Sequence, residues 1–218
     1  IERLLTEWSG KFEAQGLSAL ISTGSAPGLA NIITREAVEQ MDACDTIQIH
    51  VYEGVQAKRF LPFWWSPEVA YGDMSSPACC CENGRIKPTE PYSGAVWMKF
   101  RGVDRAVRMV EHAHDEPVTM GLLADRYLKG ARNIYFKYGG YGVDFAEPLY
   151  RMGLLSQTPL ELKGRKIVPM DLIRELTPPA PKYPHEIQAI LDEGLAAEEG
   201  AFLIRVDGEK DGRPIRID

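Results

Sequence analysis

The chain has 218 residues, 44% hydrophobic, 26% charged and 9% aromatic, a balance that excludes disorder, collagen and coiled coil and leaves room for one large domain or two small ones. Lys+Arg number 25 against 31 Asp+Glu, a formal charge of -6, so the clustered basic excess that backbone binding to nucleic acid requires is missing. No apolar run approaches the roughly 18 residues that span a bilayer, and we expect a cytoplasmic protein with neither nucleic acid nor membrane as partner.

Ile1 opens directly into an amphipathic stretch, without a starting methionine, a basic segment or a cleavage site, as expected of a piece of a longer chain. Leu4, Leu5, Trp8 and Phe12 fall at helical spacing and Gly16 stands where a C-terminal cap belongs, which predicts a helix over residues 1–15. Residues 18–22 read as a short buried strand, feeding the turn Thr23-Gly24-Ser25-Ala26-Pro27-Gly28 and then a helix over residues 29–41. Residues 45–54 alternate cleanly, with Ile47, Ile49 and Val51 on one face of a strand and Gln48, His50 and Tyr52 on the other. An aromatic, proline-bearing stretch follows, in which Ser66-Pro67-Glu68 predicts an N-cap with proline at the first helical position.

Residues 78–81, Ala-Cys-Cys-Cys, predict a buried strand ended by Glu82-Asn83-Gly84. Adjacent cysteines point to opposite faces of a strand and are poor disulfide partners, and without a CxxC pair or zinc spacing no metal site is expected. Strands are predicted over 95–100 and 107–112, a helix from Glu116-Pro117 to about Leu128, a strand over 131–138 and a helix over 143–155. The proline-rich stretch 177–184 reads as a rigid connector. A helix over 186–199 and a strand over 202–206 follow, and Asp211-Gly212 is the signal for a closing hairpin.

Four segments could carry chemistry. The Gly24–Gly28 turn offers close backbone approach and a helix N-terminus for an anion, or is simply a tight turn. Gly140-Tyr141-Gly142-Val143-Asp144-Phe145-Ala146 is a variant of the dinucleotide fingerprint that lacks the following acidic strand, so an ordinary strand-to-helix turn is the alternative. His112 and His114 among Glu111, Asp115 and Glu116 could place an acid/base pair beside a substrate amine, although acidic residues are also expected at a helix start as dipole partners. Arg132, Tyr135, Lys137, Tyr138 and Tyr141 form a basic, phenolic set suited to a dicarboxylate, or a solvated strand.

Residues 14–31, the strand over 45–53, Pro62-Phe-Trp-Trp-Ser-Pro67, His114-Asp-Glu-Pro-Val-Thr119 and the closing Val206-Asp-Gly-Glu-Lys-Asp-Gly212 together resemble the saccharopine dehydrogenase family, over most of the chain. That resemblance implies an α+β fold: a mixed sheet with helices mainly on one face, like the second domain of glyceraldehyde-3-phosphate dehydrogenase or dihydrodipicolinate reductase, the other face being left for homodimer contact. Residues 1–22 would be the tail of an N-terminal nucleotide-binding Rossmann domain, and 23–218 a catalytic and dimerisation domain truncated at its C-terminal end. The implied activity is oxidoreductase chemistry on the CH–NH group of a secondary amine in amino-acid (lysine) metabolism. NADP or NAD would be held mainly by the missing domain, and the fragment alone would be inactive.

By matched motif, Gly24, Pro27, Gly28 and Asn31 would wall the nicotinamide from the substrate, with Gly28 and the helix behind it supplying backbone donors, and His114 and Glu116 would be catalytic. Arg132, Lys137 and Tyr138 would bind the substrate, the two cations by residue type rather than by motif. Ala26 stands where saccharopine reductases often carry an aspartate before Pro-Gly. A related amine, as in carboxyspermidine-type dehydrogenases, therefore fits equally well. A non-catalytic dimerisation module is the competing reading, and a nucleotide-binding domain built on Gly140–Ala146 is a third.

Overall fold

The structure, a computed structural model, describes residues 7–218; Leu4 and Leu5 of the first predicted helix lie outside the described residues. That helix is present as α1 (Ser9–Ala14), with Gly16 beyond it at φ +63. Then come α2 (Leu29–Glu39), β1 (Ala43–Ala57), α3 (Pro67–Ser75), β2 (Ala78–Glu82), β3 (Arg85–Thr89), β4 (Val96–Lys99) and β5 (Ala106–Glu111). The second half contains α4 (Glu116–Tyr127), β6 (Asn133–Gly140), α5 (Tyr141–Arg151), the β7 (Leu160–Leu162) and β8 (Arg165–Ile167) hairpin, α6 (Pro169–Leu176), α7 (Pro184–Glu193), β9 (Leu195–Lys210) and β10 (Arg213–Ile217).

The sheet runs β10-β9-β1-β6-β2-β3, with β5 pairing the far end of β6 and β4 pairing β5. Among the described strands only β1 and β6 pair in parallel, with Ile49 opposite Phe136 and Val51 opposite Tyr138. β9 runs antiparallel along nearly the whole of β1, setting Ile204 against Ile49 and Val206 against Ile47. Because side chains alternate along a strand, the register gathers Ile47, Ile49, Ile134, Phe136, Ile204 and Val206 on one face. The helices cover that face: Ala30 and Val38 of α2, Tyr71 and Met74 of α3, Met120 and Ala124 of α4, Val143 and Ala146 of α5, and Met170 of α6 join the same buried cluster. Each fully buried Ile or Met contributes roughly 2 kcal/mol. The α+β class with helices on one face is what the chain adopts.

The other face is not left open along its length. The β4–β5 hairpin folds over it, and Phe100, Val103, Val107 and Met109 bury Tyr52 in a second core. Tyr52 and Phe100 stack with centroids 5.9 Å apart.

Three expectations change. Residues 18–22 form no strand: no partner strand meets them among the described residues, and Leu20 is 87% exposed. The helix expected over 186–199 ends at Glu193, because Gly194 takes φ +90 and Leu195 onward pairs with the end of β1. Neither β3, the β7–β8 hairpin nor α6 was expected; β3 follows Asn83-Gly84 and the β7–β8 hairpin turns at Lys163-Gly164, each a pair of positive-φ residues, the geometry of tight hairpins.

The Gly140 fingerprint has a packing explanation. Gly140 sits at φ +126 where a Cβ would lie 1.9 Å from the Glu53 carbonyl oxygen, and a Cβ on Gly142 would lie 3.0 Å from the Phe63 ring. These glycines let β6 and α5 close on β1 and on the aromatic stretch.

Candidate active site

Where the ends of β1 and β6 meet the helices, the sheet opens into a cleft of about 1150 Å³. Val51 and Glu53 of β1 and Phe136 and Tyr138 of β6 form its floor, His112 to Asp115 after β5 form one wall, and Asp73 of α3 with Trp64 and Trp65 form another. The rim is Gly24, Ser25, Ala26 and Pro27 on one side and Phe202 of β9 on the other.

Glu116 is the first residue of α4 and is fully buried. A helix N-terminus stabilises a negative charge there, and one carboxylate oxygen meets His114 Nδ1 while the other, Oε1, has no partner. The His114 ring lies flat on Phe136, centroids 3.9 Å apart and 4° between planes. Held by the stack and by the carboxylate, His114 keeps its second ring nitrogen for the cleft it lines. This is the arrangement of a histidine acid/base oriented by a carboxylate behind it.

His112 is 6% exposed, and neither of its ring nitrogens makes a hydrogen bond of full geometry. Its ring is wedged 5.0 Å from Tyr138 and 6.0 Å from His114. Burial, reinforced by the neighbouring His114 and opposed by a contact with the Ala113 backbone, pulls its pKa from 6.5 to about 3, so the imidazole is neutral in ordinary buffers.

On the floor, the Tyr138 hydroxyl donates to a Glu53 carboxylate oxygen. Burial raises the Glu53 pKa against the lowering effect of that hydrogen bond, and burial together with the facing carboxylate raises the Tyr138 pKa strongly. Asp73 is likewise raised, chiefly by burial, with His114 opposing and Asp115 adding to the shift. Trp65 meets Tyr138 edge-on at 6.2 Å, and the Trp64 indole N–H donates to the Val55 carbonyl at 3.0 Å. Cys79 on the same wall has its thiol pushed up to about 11, first by burial, which keeps it protonated and unreactive. Among the described residues no group of three or more His, Cys, Asp or Glu is arranged to hold a metal.

The predicted residues converge only in part. His114 and Tyr138 face the cleft, and Glu116 stands behind His114. Gly24 and Pro27 are on the rim, whereas Gly28 and Asn31 hold the turn together. Gly28 N–H donates to Asn31 Oδ1 at 3.0 Å, and a Cβ on Gly28 would sit 2.1 Å from the Gly24 oxygen. The expected backbone donors are therefore occupied: Leu29 and Ala30 N–H already bond the Gly24 and Ser25 carbonyls at 2.9 Å. Arg132 is exposed at the opposite end of β6. Lys137 points to the other face of the sheet, where it pairs with Glu111 and donates to the Gly94 carbonyl at 2.6 Å. Lys137 and Tyr138 are adjacent in a strand and so face opposite ways.

Sequence reasoning passed over Glu53, Asp73, Trp64 and Trp65. Glu53 was within reach, since it continues the parity of Ile47, Ile49 and Val51 toward the strand end.

The chain is 25% identical over 172 residues to carboxynorspermidine synthase of Vibrio alginolyticus, a match covering 77% of this chain and 40% of that protein. Among solved structures it is similar to the apo histidine-tagged saccharopine dehydrogenase (L-Glu forming) from Saccharomyces cerevisiae, with TM-score 0.45 and 16% identity, covering 62% of this chain and 32% of that one. The chain resembles the saccharopine dehydrogenase family. No family model matches it. It spans less than half the length of the curated relative. No described helix is long and apolar enough to cross a membrane.

Proposed function

We propose that this chain is the substrate-side half of a nicotinamide-dependent oxidoreductase acting on the CH–NH bond of a cationic amine. The observation that carries this reading is the charge of the cleft. Glu53, Asp73 and Asp115 line it, and no lysine or arginine does among the described residues. Carboxylates in a partly desolvated cleft attract an ammonium group and repel a dicarboxylate. Trp64 and Trp65 add aromatic surface for methylenes and for a cation over a ring face. The charge of the cleft thus favours the carboxyspermidine-type alternative over a saccharopine-like substrate gripped by Arg132 and Lys137. The sequence similarity to carboxynorspermidine synthase supports the same choice.

In this reading His114 takes or returns the proton at the reacting nitrogen, and Glu116 is its positioning residue, fixing the ring and stabilising the charge that forms on it. Ala26 needs no carboxylate, because Glu53 on the floor and Asp73 on a wall supply negative charge. NADP or NAD supplies or accepts the hydride. The residues present fit only the uncharged end of such a cofactor: the Gly24–Pro27 rim offers backbone and small side chains, while the α2 amides are occupied and no cation lines the cleft among the described residues. Phosphate binding by an N-terminal Rossmann domain, of which residues 1–22 would be the tail, and assembly as a homodimer belong to the same proposal.

Calorimetric titration of this chain with a linear triamine, norspermidine, and with glutarate tests the reading. Saturable binding of the triamine, weakened by salt, with no binding of glutarate is the expected result. Binding of glutarate in preference to the triamine would sink it.

A further inference from the structure

We propose that His112 is a catalytic residue: a neutral N–H donor to the oxygen of the carbonyl compound with which the amine condenses. The inference rests on the function proposed above and adds a second reactant contact to it. A buried imidazole whose nitrogens make no hydrogen bond of full geometry is costly, and this one forms part of the cleft wall. Its plane is fixed by Tyr138, Phe136 and His114, at 5.0, 6.4 and 6.0 Å. A ring held that firmly is pre-organised for a ligand atom.

Apart from His112 itself, the Ser25 hydroxyl on the rim and the second ring nitrogen of His114, which is reserved for the proton, the side-chain donors of the cleft are already engaged. Tyr138 donates to Glu53, the Trp64 indole to the Val55 carbonyl, and the Cys79 thiol to the His114 carbonyl at 3.8 Å. The carboxylates are acceptors. An oxygen on the ligand would therefore meet repulsion on most sides and a free buried donor at His112. Being neutral, this donor polarises a carbonyl without bringing a positive charge that would compete with the ammonium for Glu53 and Asp73; a neutral imidazole is a competent electrophile in this role.

The step balances. The amine nitrogen forms the C–N bond, the carbonyl π pair moves onto oxygen, and the His112 N–H stabilises the charge developing there. Both amine hydrogens leave with that oxygen as water, passed through His114, and an imine remains.

Two probes of similar length separate this role from simple packing: N-acetyl-1,3-diaminopropane, with an ammonium and a neutral carbonyl oxygen, and n-hexylamine, with the ammonium alone. We expect the acetylated diamine to bind this chain about tenfold more tightly, the value of one neutral hydrogen bond. The preference should vanish in His112→Phe and return in part in His112→Gln. In the unaltered chain, ¹⁵N NMR should show the His112 ring nitrogens shifting with the acetylated probe and not with hexylamine, a readout that does not depend on the variants folding. Equal binding of the two probes with unmoved His112 nitrogens, or a preference that survives in His112→Phe, would overturn the role of His112 and leave the cationic-amine reading standing. Failure of both probes and of the triamine to bind would overturn both.

Discussion

On the helix-covered face of the sheet, half-buried Glu53 and fully buried Glu116 lie beside a phenol and an imidazole; on the other face, Glu111 is buried beside Lys137. The second face repeats this pairing at its margins, where Arg105 meets Glu199, Arg205 meets Asp218 and Arg216 meets Asp207. The second face satisfies its carboxylates internally with cations, and the cleft leaves Glu53 and Asp73 for a cation from outside. A buried carboxylate without a counter-charge is costly, so its presence around a cleft points to use, whereas a closed ion pair points to structure. Residue type alone does not distinguish the two.

The comparison breaks most readily at Lys137. With side chains only 13% and 9% exposed in this pair, Lys137→Met strands Glu111 and should cost about 3 kcal/mol in urea unfolding, while norspermidine affinity stays unchanged. A parallel loss of amine binding would mean that the faces are not independent.

Acid tests the faces together. Burial, with Lys137 and Arg205 nearby, lowers His50 from 6.5 to about 4, and His112 moves the same way. A histidine whose folded pKa is depressed contributes stability that is complete above 6.5 and is lost as pH falls through the folded value. The His50 share approaches about 3 kcal/mol by the end of that range, and His50→Gln should flatten the stability profile between pH 6.5 and 4 without touching the part due to His112.

A smaller effect is expected at Tyr138. Tyr138→Phe removes the donor to Glu53, which should cost about 1 kcal/mol and move Glu53 protonation to still higher pH in a carboxyl ¹³C titration. Smallest is Arg35→Gln. The Arg35–Glu39 pair is 45% and 48% exposed on the outer side of α2, and a change of about 0.3 kcal/mol sets the scale for an ion pair on neither sheet face.

Much of the scaffold was legible because its signals are local. Alternation through Ile47, Ile49 and Val51 marked β1, Ser66-Pro67 and Glu116-Pro117 opened α3 and α4, and Asp211-Gly212 turned β9 into β10. What failed depends on distant partners. The helical pattern over 186–199 yields at Gly194 because pairing with β1 outweighs local propensity, and β3 carries Pro88 and exposed residues without an apolar rhythm because it is an edge. In the site, His114 and Glu116 were readable as neighbours in sequence. Glu53, Asp73 and Trp65 come from separate elements and meet only in three dimensions. Lys137 was grouped with Tyr138 by composition, although strand parity alone separates them.

The pairing of β1 with β9 also has a consequence for how the molecule comes into being. Ile47 and Val206, partners in the middle of the sheet, lie roughly 160 positions apart along the chain, and contacts of such high sequence separation slow folding. During synthesis β1 emerges early and keeps one edge bare until β9 leaves the ribosome, a long interval in which an apolar strand edge invites pairing with other chains.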